Sequence, residues 1–279
     1  ERTEIANGLQ DGSIKILIGT HALIQDSVQF SNLTLAVVDE QHRFGVEQRA
    51  ALRGKGDEPH LMVMTATPIP RSLALTLYGD LDLSIIDELP PGRRPVETRV
   101  VYPPQRKDMY NFISAQIKNG GQAFMIYPII EESDTLQVRA AVKEHKRLQN
   151  EVFSEFRVGL LHGKMKADDK YHEITNFRNG DIDILVSTTV IEVGVDIPNA
   201  SIMVIENANR FGLAQLHQLR GRVGRGEHKS YCLLVAEEKK ELFAENNKST
   251  NDRLKIMEST TDGFVLAEKD LQLRGPGDF

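Results

Sequence analysis

Leu35-Ala-Val-Val-Asp39-Glu40-Gln41-His42 sets four apolar residues directly before two acids. Apolar side chains at both parities leave no wet face, so the run reads as a strand buried on both sides, as in a parallel sheet. In open α/β sheets ligands bind beyond the carboxyl ends of the strands, which is where Asp39 and Glu40 fall. An Asp at such a tip can hold Mg²⁺, directly or through water, while the next acid orients or deprotonates an attacking water. A bare Asp-Glu pair reads more readily as a solvated strand end, so the neighbouring sequence has to decide.

Comparable apolar runs recur along the 279 residues: Ile14–Ile18, Leu33–Val38, Leu61–Met64, Thr98–Tyr102, Ala123–Tyr127, Val158–Leu161, Ile182–Val186, Ile202–Ile205 and Tyr231–Val235. Between them lie helical patterns, Lys107–Lys118 (apolar Met109, Phe112, Ile113 and Ile117) and Thr135–Phe153. This β-α alternation predicts an α/β fold of open parallel sheets with right-handed crossovers. Asp87–Pro95 breaks the rhythm with three prolines and a glycine, the composition of a linker. The expected organisation is a first domain over 1–88, a linker over 89–97, a second domain over 98–240 and a tail over 241–279. In the tail, Ser249 followed by Asp252 is expected to cap a helix carrying Leu254 and Met257, which Gly263 would stop. Phe264, Ala267 and Leu271 would then share one face of a second helix, giving a helical hairpin.

Composition narrows the partners. A net charge of −6 gives no whole-chain electrostatic case for nucleic acid, so any positive surface must be local. The single Cys232, inside Tyr231-Cys-Leu-Leu-Val, reads as a small buried hydrophobe, and one cysteine rules out a disulfide framework. No apolar run approaches the roughly 18 residues of a membrane span, and the first residues carry no signal peptide. A cytoplasmic monomer without a membrane partner is the default expectation. The absent starting Met suggests a chain that begins within a longer protein.

Three further stretches carry chemistry. Met64-Thr65-Ala66-Thr67-Pro68 also closes an apolar run. Hydroxyls there can relay by hydrogen bonds between a nucleotide site and a neighbouring domain, or simply start a helix with Pro68 in its first turn. Ser187-Thr188-Thr189-Val-Ile-Glu192-Val-Gly194-Val-Asp196-Ile-Pro198 follows another run. There a threonine such as Thr188 can bond phosphate, and Asp196, beside the permissive Gly194, can accept from a ribose hydroxyl; taken by itself, the stretch reads somewhat better as a loop with a capping Thr. In Gln215-Leu-His217-Gln218-Leu-Arg220-Gly221-Arg222-Val-Gly224-Arg225-Gly226, two arginines lie three apart among glycines. Guanidiniums so placed can stabilise charge developing on a transferring γ-phosphate.

In this order the stretches resemble superfamily 2 helicases: Asp39-Glu-Gln-His42 as the DExH motif, Thr65-Ala-Thr67 as the third motif, and the QxxGRxGR pattern ending at Arg225 as the sixth. Ile18-Gly19-Thr20-His21 resembles motif Ib, in which Thr20 would contact the DNA backbone. Ala123–Tyr127 resembles motif IV, and Leu161-His-Gly-Lys-Met165 motif IVa. Within the superfamily, Asp39-Glu-Gln-His-Arg-Phe-Gly-Val-Glu-Gln-Arg49, Thr65-Ala-Thr-Pro-Ile-Pro-Arg71, Ile205-Glu-Asn-Ala-Asn-Arg-Phe-Gly-Leu-Ala-Gln-Leu-His217 and Asp262-Gly-Phe-Val-Leu-Ala-Glu-Lys-Asp-Leu-Gln-Leu-Arg-Gly-Pro-Gly277 resemble the RecG-type helicases. Transcription-repair coupling translocases share the tail, while Gln41 and Asn207-Ala-Asn209 lean toward RecG.

The resemblance implies two RecA-like parallel-sheet helicase domains, the first truncated, then a C-terminal hairpin. It implies ATP and Mg²⁺ as cofactors and branched or duplex DNA as partner, with remodelling of stalled forks in repair and recombination as the outcome. Asp39 would hold Mg²⁺ and Glu40 polarise water. Gln218, Arg222 and Arg225 would serve the γ-phosphate, and Gly194 and Asp196 the nucleoside. Thr20 and Thr188 would bind nucleic acid. His42, Thr65, Thr67, Arg253 and Arg274 would couple hydrolysis to movement. The phosphate-binding spacing G-x-x-x-x-G-K-[ST] occurs nowhere in the sequence. The chain alone is therefore expected not to hydrolyse ATP, which leaves a non-catalytic nucleic-acid-binding module as the alternative for the isolated piece.

Overall fold

A computed structural model describes residues 2–40, 46–70, 81–90, 93–128, 134–188, 197–226, 228–236 and 245–274. The chain forms two compact units, Glu1–Thr67 and Pro68–Phe279. The sequence reading set its division later, at the proline-rich 89–97.

In the first unit, helix α1 (Arg2–Gln10) and helix α2 (Val46–Arg53) accompany strands β1 (Leu35–Val38) and β2 (His60–Val63). The strands pair in parallel from Leu35↔His60 to Val38↔Val63, so their carboxyl ends lie level. Lys55 ties the intervening loops down, its Nζ donating to the carbonyls of Gln25 (2.7 Å) and Val28 (2.8 Å). Two expectations fail here. Ile14–Ile18 is not a strand, and Ile16 and Ile18 are 81% and 91% exposed. Leu35, Val37 and Met62 are also exposed rather than buried. A strand needs a ladder partner and an apolar face needs a covering layer. Among the described residues of this unit, Ile14–Ile18 has no ladder partner, while Leu35, Val37 and Met62 are paired in the ladder but lack a covering layer.

The second unit holds a six-stranded, wholly parallel sheet in the order β3-β8-β7-β4-β6-β5. Its strands are β3 (Glu97–Val101), β4 (Gln122–Tyr127), β5 (Val158–Leu161), β6 (Ile184–Thr188), β7 (Ala200–Ile205) and β8 (Tyr231–Val235). Helices α3 (Arg106–Lys118), α4 (Asp134–Arg147), α5 (Ala167–Asn179) and α6 (Leu213–Arg220) connect them, α4 ending in a π turn over Leu148–Val152. Because alternate residues of a strand point to opposite faces, the sheet has two cores. One face carries Phe124, Ile126, Leu185, Met203 and Ile205 beneath Leu213 and Leu216 of α6. The other carries Met125, Ile184, Val186 and Val204 beneath Met109, Ile113 and Ile117 of α3. Each large side chain buried this way contributes on the order of 1.5–3 kcal/mol. Cys232 lies fully buried in the first core, where burial pushes its thiol up to about 12.

Side chains engage ladder groups at both outer edges of this sheet, which would otherwise stay open. At β5, Gln149 Oε1 accepts from the Val158 N–H (2.9 Å) and His145 Nε2 lies 2.8 Å from the Val158 carbonyl. At β3, Glu258 Oε1 accepts from the Val100 N–H (3.0 Å).

Glu258 belongs to the tail, which is a helical hairpin of α7 (Glu245–Ser259) and α8 (Gly263–Arg274). Leu254, Met257 and Leu266 join the first core. The caps differ from those expected. Ser249 lies within α7 instead of before it, and Gly263 begins α8 instead of ending its predecessor. Asp262 caps the second helix, its Oδ1 accepting from the N–H groups of Phe264 (2.8 Å) and Val265 (3.3 Å). Leu266 is the fully packed residue of α8, with Phe264, Ala267 and Leu271 half-buried.

Candidate active site

In the first unit the parallel register places two of the motifs side by side. The Val38 carbonyl accepts from the Met64 N–H (2.8 Å), extending the ladder one step beyond β2. Asp39 and Thr65 therefore leave adjacent strand ends at the same level. Asp39 is exposed, and its Oδ1 accepts from the Glu40 N–H (2.9 Å). Glu40 is half-buried and holds φ +52°, a conformation that L side chains rarely adopt. Backbone strain of this kind gathers where side-chain direction matters. Thr65 Oγ1 accepts from the Thr67 N–H (3.1 Å), turning the chain away from the strand end. Thr20 stands exposed just before a 3₁₀ turn over His21–Ile24. His42 lies outside the described residues.

The donor set at Asp39 suits a magnesium ion shared with a nucleotide. Mg²⁺ usually takes one or two carboxylates together with substrate phosphates and water, seldom an all-protein cage. One exposed acid at a strand end fits that pattern, and no group of three ligating side chains occurs among the described residues.

In the second unit the arginine-rich stretch forms the last turn of α6 and the loop after it. Gly221 and Arg222 still donate backwards, to the carbonyls of His217 (3.0 Å) and Leu219 (3.0 Å). The loop then turns at Gly224, whose φ of +83° needs a residue without a side chain. At Gly226 a Cβ would run into the Pro198 carbonyl oxygen. Gln218 and Arg222 are half-buried and Arg225 is exposed. From the segment before β3, Arg93 Nη2 donates to the Gly221 carbonyl (2.8 Å). Thr188 is buried as the last residue of β6, with Ser187 Oγ donating to its carbonyl (2.6 Å). Gly194 and Asp196 lie outside the described residues.

Three groups here went unread in the sequence. Arg220, between Gln218 and Arg222, is 3% exposed and donates to Met257, Thr260, Thr261, Thr98 and His217. Its place on the face of Leu213 and Leu216 marked it as an inward-facing charge. His217 accepts from Arg220 Nη2 through Nδ1 (3.0 Å), because a guanidinium can only donate. Burial and the adjacent Arg220 charge lower its pKa to about 4. At the carboxyl ends of the strands, Glu206 makes a two-point ion pair with Arg106.

The hairpin arginines are placed differently from one another. Arg253 Nη2 donates to the Asn209 carbonyl (3.4 Å) in the loop after β7. Arg274 is the last residue of α8, and its side chain lies outside the described ones.

Comparison with known proteins agrees with this layout. The DEAD/DEAH box helicase family matches residues 1–76, and the Helicase conserved C-terminal domain family matches residues 105–227. The protein named ATP-dependent DNA helicase RecG is 56% identical over 279 residues in Synechocystis sp., 53% in Thermotoga maritima over the same length, and 52% in Bacillus subtilis over 278. All of this chain is covered in each case, against 33%, 35% and 40% of those proteins, so the chain spans well under half their length. A solved structure of RecG bound to a three-way DNA junction is 48% identical with a TM-score of 0.75, covering 99% of this chain and 35% of that one. The helicase Lhr of Mycobacterium smegmatis, bound to ssDNA and AMP-PNP, is 16% identical with a TM-score of 0.58 over 84% of this chain and 32% of its own, and shows the fold alone. The parallel sheets are thus those of RecA-like helicase domains, and the chain belongs to the RecG family.

Proposed function

We propose that this chain supplies motor elements of an ATP-dependent DNA helicase that remodels branched DNA, including stalled forks, in repair and recombination. The observation that carries the reading is the pairing of Asp39-Glu40 with Thr65 at level strand ends, in a chain 48% identical to a protein bound to a three-way DNA junction. Asp39 would hold Mg²⁺ beside nucleotide phosphates. The ion would neutralise negative charge on the phosphate oxygens when bound. Glu40, turned by its unusual backbone, orients the attacking water. From the second unit, Gln218, Arg222 and Arg225 present donors to charge developing on the γ-phosphate, while Gly194 and Asp196 serve the nucleoside. Thr20 and Thr188 contact the nucleic-acid backbone. His42, Thr65, Thr67, Arg253 and Arg274 pass the nucleotide state on to movement along DNA.

The 279 residues hold no G-x-x-x-x-G-K-[ST] loop, the usual cradle of the triphosphate. Alone they should turn ATP over far below the typical enzyme range of about 1–10³ per second. The test is DNA-stimulated ATP hydrolysis and junction unwinding by the full-length protein, with Glu40→Gln beside it. The variant should bind ATP normally and lose turnover. Equal losses of affinity and turnover would remove the water-orienting role.

A further inference from the structure

Arg220 is an inward-facing guanidinium whose charge meets no carboxylate among its described partners. It donates to the carbonyls of Met257 (3.0 Å), Thr260 (2.8 Å) and Thr261 (3.2 Å), to Thr98 Oγ1 (3.4 Å) and to His217 Nδ1 (3.0 Å). The first three oxygens belong to the last turn of α7 and the link to α8. A helix C-terminus carries partial negative charge on carbonyls with no partner inside the helix. The end of α7 is therefore the counter-charge for Arg220, and Arg220 is the cap of α7. Moving the hairpin away from α6 would strand a buried cation, so the hairpin end and the end of α6 are held together. Close packing at Gly263 adds to this, since a Cβ there would lie 2.8 Å from His217 Nε2.

The arginine loop grows out of that same helix end. Gly221 follows Arg220 directly, and its carbonyl is fixed on the far side by Arg93 (2.8 Å). The loop's other end is fixed where Gly226 packs on the Pro198 backbone. With its ends held, the loop takes its orientation from the helix end that Arg220 anchors. We propose that Arg220 is a positioning residue for ATP hydrolysis, making the C-terminal hairpin part of the support that aims Arg222 and Arg225. The proposal rests on the reading of those two arginines as nucleotide-facing. It assigns the hairpin a part in hydrolysis itself, beyond movement along DNA.

The experiment uses the full-length protein with saturating junction DNA, comparing Arg220→Gln, Arg220→Lys, Glu258→Gln and Arg222→Ala. Steady-state ATP hydrolysis and amide hydrogen exchange are read for each. Arg220→Gln should lower kcat by about tenfold or more with KM for ATP changed less than about threefold, the signature of a contact that acts beyond ground-state binding. Amides of residues 221–226 and 257–262 should exchange faster together. Arg220→Lys keeps the charge but loses the planar fork, and should fall between Arg220→Gln and the unmodified protein. Glu258→Gln weakens the hairpin at the β3 edge, away from the arginine loop, and should keep kcat within about twofold. A normal kcat in Arg220→Gln, with Arg222→Ala inactive, overturns the proposal and spares the reading beneath it. A normal kcat in Arg222→Ala overturns both. If Arg220→Gln does not fold, Arg220→Lys decides: faster exchange in both segments with unchanged kcat overturns the proposal.

Discussion

Arg106 and Glu206 form a two-point ion pair, with Nη1 donating to Oε1 at 3.0 Å and Nη2 to Oε2 at 2.6 Å. Arg106 opens α3, which follows β3, and Glu206 follows β7, so the pair straps across β8 between them. The Glu206 side chain is 3% exposed and that of Arg106 34%. Burial works to raise the Glu206 pKa, and the Arg106 guanidinium pulls it down. Arg106→Ala would leave the acid buried without its main counter-charge. The expected loss is about 2–3 kcal/mol, below the ~3–5 of a fully buried pair because Arg106 is partly solvated. Urea unfolding of Arg106→Ala, Glu206→Gln and the double variant measures it. The double variant should be more stable than Arg106→Ala alone; simple additivity would show that the two side chains act separately.

Arg222→Ala and Arg225→Ala should each cost the full-length protein turnover far more than ATP affinity. Arginines that stabilise a transferring phosphoryl group are worth roughly 10³ to 10⁵ in rate. Both have hydrogen-bonding or electrostatic partners in this structure, so part of the loss could reflect the loop itself. Thermal melting separates the two causes: a folded loop with a lost rate points to chemistry. Near-normal rates in both variants would mark the two arginines as part of an ordinary basic surface.

His217 makes stability depend on pH. Its folded pKa, about 4, lies below the ordinary 6.5, with burial the first cause, Arg220 and Arg93 adding to it and Asp262 opposing. Between those values the unfolded chain takes up a proton that the folded chain refuses, so stability is intact above about 6.5 and falls as pH drops toward 4. Going from pH 7 to pH 5 should cost on the order of 1 kcal/mol through this residue, after allowance for its partial exposure. Unfolding free energies of the parent and His217→Gln at both pH values should show a smaller pH difference in the variant. An unchanged difference would mean that other groups set it.

How far the sequence could be read follows from which residues had local causes. β4, β6 and β7 are buried along nearly their whole length, so their continuous apolar runs gave their positions to within two residues at either end. Ile14–Ile18 had the same local character but no ladder partner among the described residues, and burial is a property of neighbours that a run cannot report. The hairpin was legible, yet its caps were not. Ser249 and Asp262 are both good cap residues, and packing of Leu254 and Met257 decided where α7 runs. The place of Asp39 and Thr65 at level strand ends was legible because each closes an apolar run. Arg220 was not, since its partners lie as far as 122 residues away in sequence.

Arg253 gives the last test, because it attaches the hairpin at a point separate from Arg220. Its guanidinium donates to the Asn209 carbonyl at 3.4 Å, a long contact to the loop after β7. Arg220 would still hold the end of α7 if this contact were removed. Arg253→Ala should therefore leave DNA-stimulated ATP hydrolysis near normal while junction unwinding falls. The stability change should be small, within about 1 kcal/mol, since one neutral acceptor and a half-buried side chain are involved. Arg274→Ala, at the end of α8, is expected to behave alike if both arginines pass movement through the hairpin. The measurement is the ratio of base pairs unwound to ATP consumed, taken beside a thermal melt. A variant that loses melting temperature and both activities together would show Arg253 to be a packing residue, and one that keeps the ratio would place the coupling elsewhere in the hairpin.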